Sequence, residues 1–188
     1  MINKERMEIF DEEDFIQDIV AEIGKVKNNR IPLEEFVSEK CSADAFRNIY
    51  RNYERHRKEL KKIDFDDMLV LCYELFRSRP DVLAQWQKKF RYVLIDEFQD
   101  INRIQYDVIR MLAQPENNLF VVGDDDQAIY GFRGADSELM LGFGKDFPDA
   151  KQILLGMNYR STANIVQNSL KLIENNVERY SKKTGSKP

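Results

Sequence analysis

The stretch VLIDEFQD, residues 93–100, places three apolar residues directly before two adjacent acids. An uninterrupted apolar run of this kind predicts a strand that is buried on both faces, as in parallel sheets covered by helices. Ligands of open α/β sheets bind outside the carboxyl ends of the strands, so Asp96 and Glu97 are predicted to face a crevice. Two carboxylates there suit a nucleotide hydrolase, because one can hold a magnesium ion and the other can orient or deprotonate water. A solvated strand end is the alternative interpretation.

Length and composition indicate a soluble protein that forms either one domain with its own core or one domain plus a smaller domain. The 188 residues carry a net charge of -4, which argues against a broadly basic protein that coats nucleic acid but allows a local binding track. No apolar run approaches the roughly 20 residues of a membrane span. The acidic start does not resemble a signal peptide, so a cytoplasmic location is expected. Cys41, Cys72 and the single His56 support neither a zinc site nor a disulfide framework.

The pattern of the chain changes near residue 62. Residues 1–62 are charged and helical in pattern, with a strongly basic helix at 46–62. From residue 63 onward helices and strands alternate. The predicted strands are 91–96, 118–123 and 151–155, and the predicted helices are 66–77, 103–113 and 162–175. Such alternation predicts an α/β fold with a parallel sheet of about three strands. Residues 181–188 are predicted to form a frayed tail.

The segment NLFVVGDDDQ, residues 118–127, again places a buried strand before a polar cluster. Two strands thus deliver polar groups to one edge of the predicted sheet. Gln127 can both donate and accept hydrogen bonds, which suits a group that senses a phosphate oxygen or the attacking water. For Asp124 and Asp125 a capped turn is the alternative. A calcium loop is excluded, because Ile129 stands where that loop needs a glycine.

Aromatic and basic residues follow in IYGFRGA, residues 129–135. Tyr130, Phe132 and Arg133 stand beside two glycines, so that two rings and a guanidinium are presented from a permissive backbone. Single-stranded nucleic acid is bound in this way, by stacking on rings next to a cation. The alternative is that Tyr130 and Phe132 are core aromatics.

A further pair of candidate residues lies in NYRS, residues 158–161, before a predicted helix. Arg160 can reach a γ-phosphate as an arginine finger. Tyr159 can stack on a nucleobase. Both residues are therefore candidates for a nucleotide site.

Four stretches resemble, in order and spacing, consecutive motifs of the UvrD/Rep family of superfamily 1 DNA helicases: IDFDDML, RYVLIDEFQDINRIQYDVIRML, NLFVVGDDDQAIYGFRGAD and ILLGMNYRST. The resemblance covers about residues 63–177 and implies that residues 63–180 form part of a RecA-like (P-loop NTPase type) motor domain, 1A. Residues 1–62 resemble more loosely the helical subdomain, 1B, inserted in that domain. The family implies ATP and Mg²⁺ as cofactors, single-stranded DNA as partner and 3′ to 5′ translocation.

The resemblance also implies roles for single residues. At the ATP site it assigns Asp96 as the magnesium ligand, Glu97 as the catalytic base, Gln127 and Arg160 as phosphate contacts and Tyr159 as the ring that stacks on adenine. At the DNA site, Phe132 occupies the position at which the family stacks a ring on single-stranded DNA, with Tyr130 and Arg133 beside it.

The sequence also departs from the family. It contains no G-x-x-x-x-G-K-[ST] segment, whose amides and lysine cradle phosphates, and GKVKNN at 24–29 is not one. The second motor domain is missing as well. We expect a truncated chain rather than a degenerate relative, because Asp96, Glu97, Gln127 and Arg160 are all present. The isolated chain is therefore predicted to be inactive.

Two other functions remain open from the sequence. One is a non-catalytic module that binds single-stranded nucleic acid or protein. The other is a magnesium-dependent nuclease built from Asp96, Glu97 and Asp124. In the complete family fold the strand that leads into the P-loop lies beside the strand ending at Gly123, so its absence predicts an exposed sheet edge and a possible homodimer.

Overall fold

The computed structural model describes residues 12–131, 134–176, 179–180 and 185–186. The helices are α1 (Glu12–Asn28), α2 (Ala43–Glu59), α3 (Phe65–Ser78), α4 (Pro80–Lys89), α5 (Arg103–Ala113), α6 (Ser137–Leu141), α7 (Phe143–Asp146) and α8 (Ala163–Ile173). The strands are β1 (Val93–Ile95), β2 (Leu119–Val121), β3 (Met157–Asn158) and β4 (Gly185–Ser186). Within those ranges, no helix is long and apolar enough to cross a membrane.

The first two strands form the small parallel sheet on which the predicted site depends. β1 pairs with β2 in parallel, with Val93 opposite Leu119 and Ile95 opposite Val121. This confirms a parallel pair at two of the predicted strands, although each strand is shorter than predicted. The predicted helices 66–77, 103–113 and 162–175 correspond to α3, α5 and α8. The chain is therefore a helix-rich α/β structure with a small parallel sheet.

Local sequence explains where the two central helices begin. The Asp64 side chain accepts from the Asp67 backbone N–H, and the Asp67 side chain accepts in turn from the Asp64 N–H. Asn102 and Gln105 form the same reciprocal arrangement at the start of α5. Each such capping box satisfies two backbone donors that the first turn of a helix leaves unpaired.

The predicted strand at 151–155 is wrong. These residues have no regular secondary structure and are exposed, Ile153 at 75% and Leu155 at 81%. The parallel pairing begins two residues later, where Met157 lies opposite Gly185 and Asn158 opposite Ser186. An apolar run becomes a strand only when a neighbour supplies hydrogen bonds, and the described chain supplies none at 151–155. Of the predicted frayed tail, only residues 185 and 186 lie within the described residues.

Among the described residues the sheet is covered on one face, so the prediction of strands buried on both faces is also wrong. Ile95 and Val121 pack against a buried cluster. On the opposite face Leu94 is 70% exposed and Phe120 is 58% exposed. Because successive side chains of a strand point to opposite faces, the exposed face presents a small apolar surface.

Buried side chains form two separate clusters. The helical cluster is contributed by α1, α2 and their connection, and its buried members are Ile19, Ile23, Val26, Phe36 and Phe46. The sheet cluster lies under β1 and β2, and its buried members are Phe98, Ile101, Tyr106 and Leu139. Phe98 meets the rings of Tyr106 and Phe143 edge to face at centroid distances of 6.0 and 5.4 Å. The sheet cluster therefore supports the turn that carries Glu97.

A buried lysine joins the helical cluster to α3. The Lys27 ammonium lies 3.0 Å from Glu54, 2.6 Å from Asp64 and 3.0 Å from Asp67, and its side chain is only 4% exposed. Arg57 adds a second cation, 2.7 Å from Glu54 and 3.0 Å from Asp67. Burial alone would lower the pKa of Lys27, but the hydrogen bonds to the three carboxylates raise it above its ordinary value. Lys27 is therefore a charged buried group whose partners belong to α2 and the start of α3.

Candidate active site

The carboxyl ends of β1 and β2 lie at the same edge of the sheet. The ladder continues past the strands, because the Val122 N–H donates to the Ile95 carbonyl at 2.8 Å and the Phe98 N–H donates to the Val122 carbonyl at 2.9 Å. The structure therefore brings Asp96 and Glu97 next to the turn that begins at Asp124. Both acids are exposed, as a site open to a ligand requires.

Glu97 adopts a left-handed backbone conformation, with φ 50° and ψ 44°. This region costs an ordinary residue about 1–2 kcal/mol. Three hydrogen bonds hold the turn: the Glu97 N–H donates to Asp96 Oδ1 at 3.0 Å, Gln99 Nε2 donates to Glu97 Oε2 at 2.8 Å, and the Asp100 N–H donates to the Glu97 carbonyl at 2.9 Å. Strained residues of this kind concentrate at functional sites, because the surrounding structure must hold them in place.

Gln99 links the two strand ends and was not singled out by the sequence. Its side chain is 1% exposed, its Nε2 donates to Glu97, and its Oε1 accepts from the Asp124 N–H at 3.0 Å. A Cβ on Gly123 would lie 2.7 Å from Gln99 Oε1 and 3.1 Å from the Phe98 backbone nitrogen, so any larger residue there would force the Gln99 side chain and the adjacent backbone to shift. A buried amide flanked by acids carries no distinctive sequence signal. The sequence signal is Gly123, because a glycine at the end of a strand often marks a place where another part of the chain approaches the backbone closely.

The turn after β2 is ordered by its own acids. Asp124 Oδ1 accepts from the Asp126 N–H at 3.2 Å, and Asp124 Oδ2 accepts from Gln127 Nε2 at 2.7 Å. Asp124 therefore makes the contacts of a turn-capping residue. It also connects Gln127, through Gln99, to Glu97. These residues form one hydrogen-bonded series across the sheet edge, with the exposed Gln127 at its end.

Residues from the C-terminal part of the chain contact this turn, which the sequence did not predict. Arg179 donates to Asp126 Oδ2 at 2.7 Å, and the Tyr180 N–H donates to Asp125 Oδ2 at 2.8 Å. The Tyr180 hydroxyl donates to the Met140 carbonyl at 2.7 Å. Burial and the nearby charge of Asp125 raise the pKa of Tyr180.

The structure places Tyr159 and Arg160 on an exposed turn. The side-chain oxygen of Asn158 accepts from the backbone N–H groups of Arg160 and Ser161, each at 2.9 Å, and Tyr159 is 78% exposed. In the described part of the chain, neither side chain makes a hydrogen bond or ion pair with Asp96, Glu97 or Gln127. Hydrogen bonds thus connect three of the five predicted nucleotide-site residues, and the roles of Tyr159 and Arg160 stay predictions.

Of the predicted DNA-binding residues, Tyr130 lies within the described residues and Phe132 and Arg133 do not. Tyr130 is 38% exposed. The turn closes where the Gly134 N–H donates to the Gly131 carbonyl at 2.9 Å. Gly134 has φ 84° and lies against the end of α1, since a Cβ there would be 3.7 Å from Asn29 Nδ2. Gly134 therefore lies beside the end of α1, next to the helical cluster.

The acids at this edge fit a magnesium ion that arrives with a phosphate ligand. Within the described ranges, no group of three or more His, Cys, Asp or Glu side chains converges as a metal site. Magnesium is commonly held by one or two carboxylates together with waters and substrate phosphates, rather than by an all-protein cage. The exposed carboxylate of Asp96 meets that requirement.

Comparison with known proteins finds ATP-dependent DNA helicases among the relatives of this chain. The chain is 47% identical over 175 residues to the putative ATP-dependent DNA helicase YjcD of Bacillus subtilis, covering 93% of this chain and 23% of that protein. It is 41% identical over 169 residues to the ATP-dependent DNA helicase PcrA of Leuconostoc citreum, covering 88% of this chain and 22% of that protein. The chain spans about a quarter of the length of these relatives. The profile of the UvrD/REP helicase N-terminal domain matches residues 2–148, and the chain belongs to that family.

Proposed function

We propose that this chain is part of the first motor domain of an ATP-dependent DNA helicase that couples ATP hydrolysis to translocation on single-stranded DNA and duplex unwinding. The observation that carries the proposal is the hydrogen-bonded series from Glu97 through Gln99 and Asp124 to Gln127 at one edge of a parallel sheet. A RecA-like sheet would place its catalytic groups at this edge. The names of the relatives, ATP-dependent DNA helicases, agree with this function.

The side chains at the edge divide the chemistry between them. Asp96 would hold Mg²⁺, and the ion would supply positive charge to the ATP phosphates. Glu97 is the catalytic base that orients the attacking water and takes its proton. Gln127 contacts the γ-phosphate through an amide that Asp124 holds in place. The sequence predicts Arg160 as a further phosphate contact and Tyr159 as the adenine platform.

We propose that residues 1–62 form a helical subdomain and residues 63–180 the motor part of the chain. The two separate clusters of buried side chains support this division, one within residues 15–53 and the other within residues 95–147. In this arrangement Tyr130, Phe132 and Arg133 bind single-stranded DNA. We propose a cytoplasmic location, because the relatives are DNA helicases of bacteria, whose DNA lies in the cytoplasm.

A chimera tests the proposed function directly. The aligned 169-residue segment of Leuconostoc citreum PcrA is replaced by this chain, and ATP hydrolysis is measured with and without single-stranded DNA. We expect DNA-stimulated hydrolysis. A folded chimera that binds DNA without hydrolysing ATP would contradict the proposal in favour of a non-catalytic binding module. Magnesium-dependent cleavage of DNA by the isolated chain would indicate a nuclease instead.

We expect the isolated chain to hydrolyse ATP no faster than buffer. Asp96 and Glu97 can organise magnesium and water, but this sequence has no P-loop amides and lysine to cradle the β- and γ-phosphates. Phosphate release is measured at millimolar ATP and Mg²⁺, with the Glu97→Gln variant as the control for contaminating enzymes. Turnover that disappears in Glu97→Gln would show that the chain builds a phosphate cradle from other residues.

We propose that the free edge of the sheet pairs between two copies of the chain. In the described sheet β2 pairs with β1 along one edge, and no described strand pairs with its other edge. Phe120, in the middle of β2, is 58% exposed. Unpaired strand edges with apolar residues favour association. Sedimentation at micromolar concentration is expected to show a dimer, and Phe120→Lys is expected to shift it toward monomer. A wild-type chain that stays monomeric at 100 µM would contradict this.

A further inference from the structure

Arg179 and Tyr180, from the C-terminal part of the chain, contact the turn that carries Gln127. The Arg179 guanidinium donates to Asp126 Oδ2 at 2.7 Å, and both side chains are mostly buried, Arg179 at 17% exposure and Asp126 at 15%. The Tyr180 N–H donates to Asp125 Oδ2 at 2.8 Å. These contacts join residues that are 53 and 55 positions apart in sequence, so they depend on the folded chain.

Tyr180 fixes the position of Arg179 on the sheet cluster. The Tyr180 hydroxyl donates to the Met140 carbonyl in α6 at 2.7 Å. Met140 packs against the sheet cluster, and the neighbouring Leu139 is one of its buried members. Arg179 therefore contacts the turn from a position next to a residue that is itself attached to the core under β1 and β2.

The turn at 124–127 has little packing of its own. Its four residues, all within the described ranges, are three acids and an amide, so the turn contributes no apolar side chain to a core. Inside the turn, the Gln127 N–H donates to the Asp124 carbonyl at 2.9 Å and the Asp126 N–H donates to Asp124 Oδ1 at 3.2 Å. Segments with few buried apolar contacts open at a small cost in free energy. Contacts from outside the turn therefore determine how firmly it is held.

The three adjacent acids also place negative charge beside the proposed phosphate site. Carboxylates repel an approaching phosphate, and a cation at short range offsets that repulsion. Asp124 accepts from the Gln127 amide at 2.7 Å, whereas Asp126 is paired with the guanidinium of Arg179. Because this ion pair is mostly buried, salt screens it less than it screens a surface pair. Arg179 thus compensates one of the negative charges next to Gln127.

We propose that Arg179 is a positioning residue of the nucleotide site, which acts through Asp126 to hold the turn at 124–127 so that the Gln127 amide can contact the γ-phosphate. This inference rests on the proposed function, because it needs Gln127 to contact a nucleotide. Arg179 itself does not have to touch the nucleotide. Tyr180 supports the role by fixing Arg179 next to the turn.

The first experiment uses the whole 188-residue chain without nucleotide. It measures hydrogen exchange at the backbone amides of Asp126 and Gln127, and the NMR signal of the Gln127 side-chain amide. We expect Arg179→Met to speed this exchange by at least about tenfold, the effect of losing one hydrogen bond to a charged group, and to shift the side-chain signal. Arg179→Lys keeps a charged donor and is expected to stay close to wild type. Arg79→Met is the matched control, because it removes an arginine from an exposed pair with Asp81 at 2.7 Å.

A double-mutant cycle tests whether Arg179 acts through Asp126. Asp126→Asn keeps the size of the side chain and removes its charge, and it is combined with Arg179→Met in one chain. Because both changes break the same ion pair, we expect the double variant to exchange no faster than the more affected single variant. Effects of the two changes that simply add would show that the residues act independently, and would overturn the inference.

The second experiment measures whether the turn serves the γ-phosphate. In the chimera with PcrA that contains the whole chain, the affinities for AMP-PNP and for ADP are compared in the presence of Mg²⁺. We expect Arg179→Met to weaken AMP-PNP binding by about tenfold, as for one charge-assisted hydrogen bond, and to leave ADP binding unchanged, because ADP has no γ-phosphate. Gln127→Ala is expected to lose the same preference for AMP-PNP.

The possible results separate the inference from the function on which it rests. If Gln127→Ala removes the preference for AMP-PNP while Arg179→Met keeps it, the inference is overturned and the proposed function stands. If Arg179→Met lowers the melting temperature but changes neither the exchange of the turn nor the preference, Arg179 only stabilises the fold and the inference is overturned. If Gln127→Ala keeps the preference, the proposed phosphate contact of Gln127 fails and this inference fails with it.

Discussion

In the chimera with PcrA, Glu97→Gln lowers kcat for DNA-stimulated ATP hydrolysis by about 10²–10⁴-fold, the range for loss of a general base. KM for ATP changes little, because glutamine has the size of glutamate and keeps an oxygen that can accept the hydrogen bond from Gln99. The left-handed turn at Glu97 therefore stays in place while the proton acceptor is lost. Steady-state phosphate release over a range of ATP concentrations measures both constants.

The control for this substitution makes the same chemical change away from the sheet edge. Glu116→Gln alters an exposed glutamate in the turn after α5 and is expected to leave kcat unchanged. Single-stranded DNA binding without nucleotide is expected to be equal in both variants. A kcat for Glu97→Gln within threefold of wild type would assign the base to another residue and contradict the proposed role of Glu97.

Lys27→Met lowers the free energy of unfolding by about 3–5 kcal/mol, because removing one partner of a buried ionic network leaves buried charge uncompensated. Methionine fills the volume but leaves Glu54, Asp64 and Asp67 with Arg57 as the nearby cation. Denaturation in guanidinium chloride measures the loss. Lys40→Met is the control, because Lys40 pairs with Asp18 on the surface at 2.7 Å, and exposed pairs contribute about 0–1 kcal/mol.

Acid provides a second measure of the same network. Burial opposes the ionisation of Asp64, but hydrogen bonds from Lys27 and Tyr53 outweigh it and lower the pKa of Asp64 to about 2, from an ordinary 3.8. A depressed pKa contributes stability that is complete above about pH 4 and is lost as the pH falls toward 2. The difference between wild type and Lys27→Met should therefore shrink over that interval. A difference that is constant from pH 7 to pH 2 would show that lost packing, not charge, causes the effect.

The parts of the fold that sequence predicted well are those fixed by local pattern. α3, α5 and α8 follow from apolar spacing and capping residues, and β1 and β2 follow from short apolar runs before polar turns. The parallel pairing of those strands followed from alternation with helices. The same pattern predicts that Asp96, Glu97 and Gln127 lie at one edge of the sheet.

The parts that sequence did not predict depend on distant partners. KQILL at 151–155 has the composition of a strand, but its state depends on a neighbouring strand that composition cannot supply. Gln99 became visible only when Glu97 and Asp124 were found on either side of its amide. Lys27 had a local signal, because Ile19, Ile23 and Lys27 follow one another at four-residue spacing and therefore lie on one face of α1. A charge in that position predicts a buried ion pair, although not the identity of its partners.

The separation into two clusters also determines the order in which the chain can fold while it is being synthesised. Every member of the helical cluster lies between Phe15 and Tyr53, whereas the sheet cluster needs residues from Ile95 to Phe147. A ribosome releases the N-terminal part first, at roughly 5–20 residues per second. The helical cluster can therefore pack several seconds before the sheet is available. During that interval Lys27 has Glu54 beside it, and it gains Asp64 and Asp67 only when the next segment of the nascent chain emerges.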